Sequence, residues 1–278
     1  MDGPSLDAYT PAQMAARVEQ AGVGKANLDA ASLFALAVLA GAFISLGAAF
    51  STVTIAGIDA GFGITRLLGG LTFCLGLILV VVAGAELFTG NNLIVMAWVS
   101  GKVSTGKLLR NWGIVYAGNL AGALATALAM TWARSWLPPA DPVGLAALKI
   151  AQTKASLPFM QAFVAGVFCN ALVCLAVWLC FSARTTTDKI LSILFPITAF
   201  VALGFEHSIA NMYFIPLGIF LASRPALAAA SAQAGIQLEA VNWSGFLSNL
   251  VPVTAGNILG GALLVGGVYW FIYLRKPA

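Results

Sequence analysis

Six long apolar stretches, at about 28–50, 67–99, 111–133, 157–182, 188–223 and 246–273, are separated by short polar segments along the chain. A helix needs about 20 apolar residues to cross the hydrocarbon of a bilayer, so each stretch predicts a membrane span. The second and fifth are too long for one simple crossing, and polar or glycine-rich residues interrupt them. Ahead of the first span, TPAQMAARVEQAGV places Thr10 as an N-cap and Pro11 at the first helical position. Met14, Val18 and Ala21 follow at helical spacing. This predicts a short amphipathic helix within residues 1–27, on the cytoplasmic face or as an ordinary surface helix.

Composition sharpens this picture. The chain is 60% hydrophobic and 9% charged, with a mean hydropathy of +0.93, whereas soluble domains carry about 25% charged residues. An all-α integral membrane protein follows, with one membrane domain over residues 1–278 and no separate soluble one. An even number of spans puts both termini on one side. With that side cytoplasmic, Arg17, Lys25, Lys102, Lys107, Arg110, Arg184, Lys189, Arg275 and Lys276 lie inside. Arg66, Arg134, Lys149, Lys154 and Arg224 lie outside. That bias fits the positive-inside rule, so the formal charge of +4 reports topology and not nucleic-acid binding. The N-terminus lacks a basic region and a cleavage site, and does not read as a signal peptide. Cys74, Cys169, Cys174 and Cys180 all fall inside spans without metal-ligand spacing, and are expected to pack as small apolar side chains.

The chain repeats itself. NWGIVYAGNLAGA (111–123) matches NLVPVTAGNILGGA (249–262) at Asn111/Asn249, Val115/Val253, Ala117/Ala255, Gly118/Gly256 and Asn119/Asn257. ELFTGNN (86–92) matches EHSIANM (206–212) through Glu86/Glu206 and Asn91/Asn211. GAFIS (41–45) echoes GVFCN (166–170) more weakly. Three crossings per half force the halves into opposite orientations, a 3+3 inverted repeat of the kind channels and transporters use. Broken helices survive at membrane depth only where they are buried in protein or line water, and a matched pair of them points to a substrate site near the midplane. Asn91, Asn92 and Asn211 are expected to open the second half-helices, with amide N–H groups exposed just before them. Such helix starts favour an anion.

Glu86, Glu206 and His207, the chain's single histidine, are the ionisable groups deep in the spans. A carboxylate at the bilayer centre costs about 2.5–3.5 kcal/mol on insertion scales. Loop anchoring is the favoured role for both glutamates, with proton relay as the alternative. An intramembrane histidine reads first as functional, able to donate a hydrogen bond or a proton; the competing reading is a satisfied core residue. Gly118 and Gly256 read as close-approach points between helices. Trp98, Trp112, Trp132, Trp136, Trp178 and Trp270 sit near span ends, as interfacial anchors do.

ELFTGNN, GFEHSIANM, AGNILGG and the CLAVW after Asn170 together resemble the formate/nitrite transporter family, from MAARVEQAGV to GVYWFIYLR. IPLGI after the histidine motif and the YWFIYLR ending are similar to those of its formate channels. One departure is TGNN after the LF, where formate channels commonly carry Ser-Thr and an aliphatic residue. The resemblance implies an aquaporin-like fold of six spans and two broken helices, assembled as a homopentamer with one pore per protomer. It implies a pore histidine at His207, a loop threonine at Thr89, and apolar constrictions at Phe73, Leu77, Leu87 and Phe200. It also implies a motif asparagine at Asn211 and a vestibule lysine at Lys154, and Asn170 is expected to anchor the loops with Glu86 and Glu206. The expected substrate is a small weak-acid anion, formate first. Nitrite, hydrosulfide, acetate and lactate are the alternatives, and protons are possible co-substrates. An intramembrane enzyme is the rival of another class, but neither an HExxH motif nor a nucleophile elbow is present, and no cofactor or metal is implied. Phe73 and Phe200 also fit ordinary aromatic packing, and Lys154 also fits a solvated loop charge.

Overall fold

The computed structural model describes residues 7–133 and 141–275, which are helices and short connections with no strand among them. Helix α1 (Pro11–Ala26) starts in a capping box: the Gln13 amide donates to Thr10 Oγ1, and the Thr10 amide donates to Gln13 Oε1. It buries Met14 and Val18, as their spacing predicts, with Gly22 and not Ala21 completing that face.

Helix α2 (Ala30–Ile55) is the first crossing. The second crossing is α3 (Phe62–Ile78), extended by a π-helical stretch, Leu79–Gly84. The chain then breaks at residues 85–87 and restarts as α4 (Phe88–Asn91), a 3-10 turn (Asn92–Ile94) and α5 (Val95–Val99). Helix α6 (Thr105–Ala133) closes the first half. In the second half, α7 (Pro142–Ala155) precedes α8 (Phe159–Cys180) and α9 (Thr186–Leu203). After a break at 204–207 come α10 (Ser208–Ala222) and α11 (Pro225–Gln233), which turns 102° from it. The last crossing is α12 (Trp243–Ile258), a π-helical stretch (Leu259–Gly267) and α13 (Val268–Tyr273). Among the described residues six helices are long and apolar enough to cross a membrane, in agreement with the sequence. The connections expected to be plain loops carry α7 and α11, each starting with proline at its first position.

The two halves pack alike. Helix α2 lies on α6, α8 lies on α12, and α3 meets α9 across the middle. Gly118 and Gly256 stand at the crossings: a Cβ on Gly118 would lie 2.5 Å from Ala37 Cβ, and one on Gly256 would lie 2.2 Å from Phe163 O. No side chain fits at such a distance, so small residues set the helix separation. The breaks are equivalent too, because Gly84 (φ 84°) and Gly204 (φ 77°) take left-handed conformations as their helices end. Trp112 and Trp178 depart from the interfacial role. Trp112 Nε1 donates to Asn91 O, and Trp178 is buried and stacked on Tyr269 at 4.1 Å. Trp136 lies outside the described residues.

Candidate functional site

Each break is held by the same polar lattice. In the first half the Glu86 amide donates to Leu36 O (3.2 Å). The Glu86 carboxylate accepts from Lys25 Nζ (2.5 Å) and Asn91 Nδ2 (2.7 Å). Asn91 Nδ2 also donates to Asn111 Oδ1, whose own Nδ2 donates to Lys25 O, both at 3.0 Å. In the second half the Glu206 amide donates to Ala165 O (3.3 Å). Its carboxylate accepts from Lys154 Nζ (2.8 Å) and Asn211 Nδ2 (2.6 Å). Asn211 Nδ2 also donates to Asn249 Oδ1 (2.7 Å), and Asn249 Nδ2 donates to Lys154 O (2.9 Å). Two further asparagines join each loop to its neighbours. Asn119 Nδ2 donates to Ala37 O and Glu86 O while its Oδ1 accepts the Phe88 amide. Asn257 does the same for Gly166 O, Glu206 O and the Ser208 amide.

This accounting corrects the expectation that Asn91, Asn92 and Asn211 open the second half-helices. The second half-helices begin earlier, at Phe88 and Ser208, and their first amides are taken by Asn119 and Asn257. Asn91 and Asn211 lie a turn further in, with their side-chain amides bound to the glutamates. The amides of Thr89, Gly90 and Ile209 have no acceptor among the described residues, which leaves a smaller set of donors at the centre.

Between the breaks, Thr89 Oγ1 and His207 Nε2 lie 3.0 Å apart, both side chains buried. His207 is also the N-cap of α10, and its Nδ1 lies 3.0 Å from the Ala210 nitrogen. A backbone amide can only donate, so Nδ1 must be an acceptor. In the neutral ring Nε2 then carries the proton and donates to Thr89 Oγ1. That leaves the Thr89 hydroxyl proton free to turn toward a ligand. A second proton on Nδ1 would face the Ala210 N–H, so a charged His207 and this cap exclude each other. Thr89 is fixed from behind: its carbonyl accepts from Asn170 Nδ2 and Cys174 Sγ, both at 3.3 Å. Asn170 Nδ2 also reaches Asn92 Oδ1 (3.0 Å) and Asn257 O (2.7 Å). Cys174 therefore does more than pack, which its type and spacing gave no reason to expect.

Apolar rings surround the pair. Phe200 stacks 5.9 Å from the His207 ring and meets Phe73 edge-on at 5.5 Å. Leu77 lies one turn from Phe73 on α3. A cavity of about 460 Å³ opens on the α1 side, with Leu77, Leu87, Lys25, Glu86, Arg17 and Lys189 in its wall. Gly90 and Asn91 share that wall with Leu77 and Leu87, so the cavity ends beside the residue that follows Thr89, with two leucines at its inner end. Lys154 is not a solvated loop charge. It is the penultimate residue of α7, largely buried and paired with Glu206.

Lys25 was not singled out from the sequence, although KANL (25–28) and KASL (154–157) carry the signal. Each lysine ends a short helix just before the first crossing of its half, so α1 and α7 belong to the repeat. Arg66, read from the sequence only as an outside charge, uses its Nε to donate to Ala202 O (2.8 Å) at the end of α9. Among the described residues no group of three or more His, Cys, Asp or Glu side chains is placed to hold a metal.

Two broken helices meeting around a buried polar pair, in an all-α membrane protein of repeated halves, define a solute-conducting class. The chain belongs to the formate/nitrite transporter family, whose model matches residues 12–271. It is 43% identical to the formate channel FocA of Escherichia coli over 99% of this chain and 98% of that protein. It is 39% identical to FocA of Haemophilus influenzae over 93% of each. Among solved structures it resembles a pentameric formate channel with formate bound, at 44% identity and a TM-score of 0.81, over 88% of this chain and 98% of that one. An ion channel of the same family matches with a TM-score of 0.82 at 29% identity, over 95% and 99%.

Proposed function

We propose that this protein is a homopentameric channel that passes formate through one pore in each protomer. Its single channel domain would sit in a bacterial cytoplasmic membrane, with both termini and α1 on the cytoplasmic side. The named activities and the pentameric state of the relatives support this reading, as does the Lys/Arg bias of the connections. The observation that carries it is the Thr89 hydroxyl, held by His207 as a hydrogen-bond donor inside an apolar collar.

A formate ion leaving the α1-side cavity loses water at Leu77 and Leu87, a step that a bare charge makes only at high cost. The Thr89 hydroxyl then supplies one charge-assisted hydrogen bond, and the unpaired amides of Thr89, Gly90 and Ile209 supply others. His207 orients Thr89 and accepts no proton in this state, since its Nδ1 is committed to α10. A proton that accompanies formate past Phe73 and Phe200 comes from water and returns to it on exit. Glu86, Glu206, Asn211 and Asn170 hold the loops in place, and Lys154 balances Glu206. Uptake of labelled formate and nitrite into proteoliposomes, measured against inner pH, tests this. Asn at position 207 can still cap Ala210 and donate to Thr89, so His207→Asn is expected to keep at least a tenth of native flux. Complete loss in a folded His207→Asn pentamer would show that the imidazole must carry a proton.

A further inference from the structure

We propose that Lys189 gathers the permeating anion at the α1-side mouth and that Arg66 is its counterpart at the opposite mouth, an inference that rests on the channel reading above. The cavity wall holds four charged side chains, Arg17, Lys25, Glu86 and Lys189. Lys25 and Glu86 form an ion pair at 2.5 Å and cancel. Arg17 lies over the Tyr9 ring at 3.9 Å, a ring it shares with Arg184 at 3.7 Å. Lys189 makes no ion pair among the described residues. The neighbouring carboxylate of Asp188 accepts from the backbone amides of Arg184 (3.0 Å) and Thr185 (2.9 Å) instead. Among the described residues Arg17 and Lys189 are thus the two wall cations without a carboxylate partner, and Lys189 is the more buried of them.

Its position has a second logic. Val81 and Gly84, at the carbonyl end of the first broken helix, line the same cavity, and a helix C-terminus repels anions. Lys189, from the first turn of α9, stands against that end. Arg66, from the first turns of α3, does the same for α9: its Nε donates to Ala202 O, and a Cβ on Gly204 would lie 2.6 Å from its Nη2. One cation from each half thus stands at the carbonyl end of the other half's broken helix, although the two are not aligned by the repeat, which sets Arg66 opposite Thr186. Lys154 cannot take this role, because its charge is matched by Glu206 at 2.8 Å.

A unit charge about 5 Å from an ion in water-like surroundings changes the local ion concentration about fourfold. In proteoliposomes of known orientation, Lys189→Gln should raise the half-saturating formate concentration for entry from the α1 side about three- to fivefold at about 0.01 M salt. Maximal flux should be unchanged. The difference should close at about 1 M salt, where screening acts within about 3 Å, and Lys189→Arg should restore native values. Arg66→Gln should show the same shift for entry from the other side. An unchanged half-saturation at low salt, or a salt-independent fall in maximal flux, would overturn the assignment of Lys189. Native protein that carries neither formate nor nitrite would refute the channel reading, and this proposal with it.

Discussion

Replacing Asn257 with alanine tests the claim that the loops are held by side-chain amides and not by lipid pressure alone. Asn257 is fully buried and satisfies three backbone groups: Gly166 O at 2.8 Å, Glu206 O at 3.0 Å and the Ser208 amide at 2.9 Å. Each buried backbone group left unpaired costs about 1–3 kcal/mol. One of the three can be met by water entering the space that alanine leaves, so the total should be about 3–5 kcal/mol, at the upper end of single-site effects. For a chain of this size about 1 kcal/mol moves the melting temperature by about 2–4 °C, giving a fall of about 10 °C. Asn242→Ala is the control. That exposed N-cap meets one amide, Gly245 N at 2.9 Å, and its loss should cost about 1 kcal/mol. The assay is thermal unfolding of purified protein in detergent followed by circular dichroism, paired with formate flux. Flux should fall at least tenfold at temperatures where Asn257→Ala is still folded, because the backbone on both sides of His207 is released. A melting temperature no lower than that of Asn242→Ala would refute the reasoning.

Thr89→Val keeps shape but removes the hydroxyl that faces His207, so flux should fall at least tenfold with little change in melting, whereas Thr89→Ser should keep most of it; stopped-flow uptake decides. Lys154→Met leaves Glu206 buried without its cation and should cost about 3–5 kcal/mol; adding Glu206→Gln should recover most of that in a double-mutant melting cycle. Lys25→Met should cost less, because its pair with Glu86 is more open to solvent. Gly256→Ala places a methyl 2.2 Å from Phe163 O, so α12 cannot seat on α8; the expected result is loss of the folded oligomer on size-exclusion chromatography.

The spans were legible because lipid tolerates little besides long apolar runs, and the breaks were legible because Glu86, Glu206, Gly84 and Gly204 violate that rule at matching places. The asparagine roles were half legible. Their repetition showed that they mattered, but hydrogen-bond partners come from different helices, which a linear alignment cannot bring together. Lys25 illustrates the limit: aligning the spans hid the KANL/KASL match, since it lies in the helices before them. The π-helical stretches Leu79–Gly84 and Leu259–Gly267 left no trace, because no residue type encodes that register. Trp112 and Trp178 lie near span ends in sequence yet face protein, and position along a helix does not reveal which face meets lipid.

The repeat also explains why one histidine is enough. Aligning Glu86 with Glu206 sets Leu87 opposite His207 and Thr89 opposite Ile209. Each residue of the lattice around Glu86 and Glu206 has a polar partner in the other half, from Lys25/Lys154 to Asn119/Asn257, whereas the two residues that meet at the centre are matched by aliphatic ones. Two polar pairs would make a deep hydrogen-bonding well that holds an anion and slows its release; two aliphatic pairs would leave a barrier with nothing to meet the ion. Breaking the symmetry at these positions yields one donor step beside one dry step. Ile209→Thr with Leu87→His would restore the symmetry, and the expected outcome is tighter formate binding with slower turnover. Faster turnover would show that the aliphatic step, and not release from the donor, limits passage.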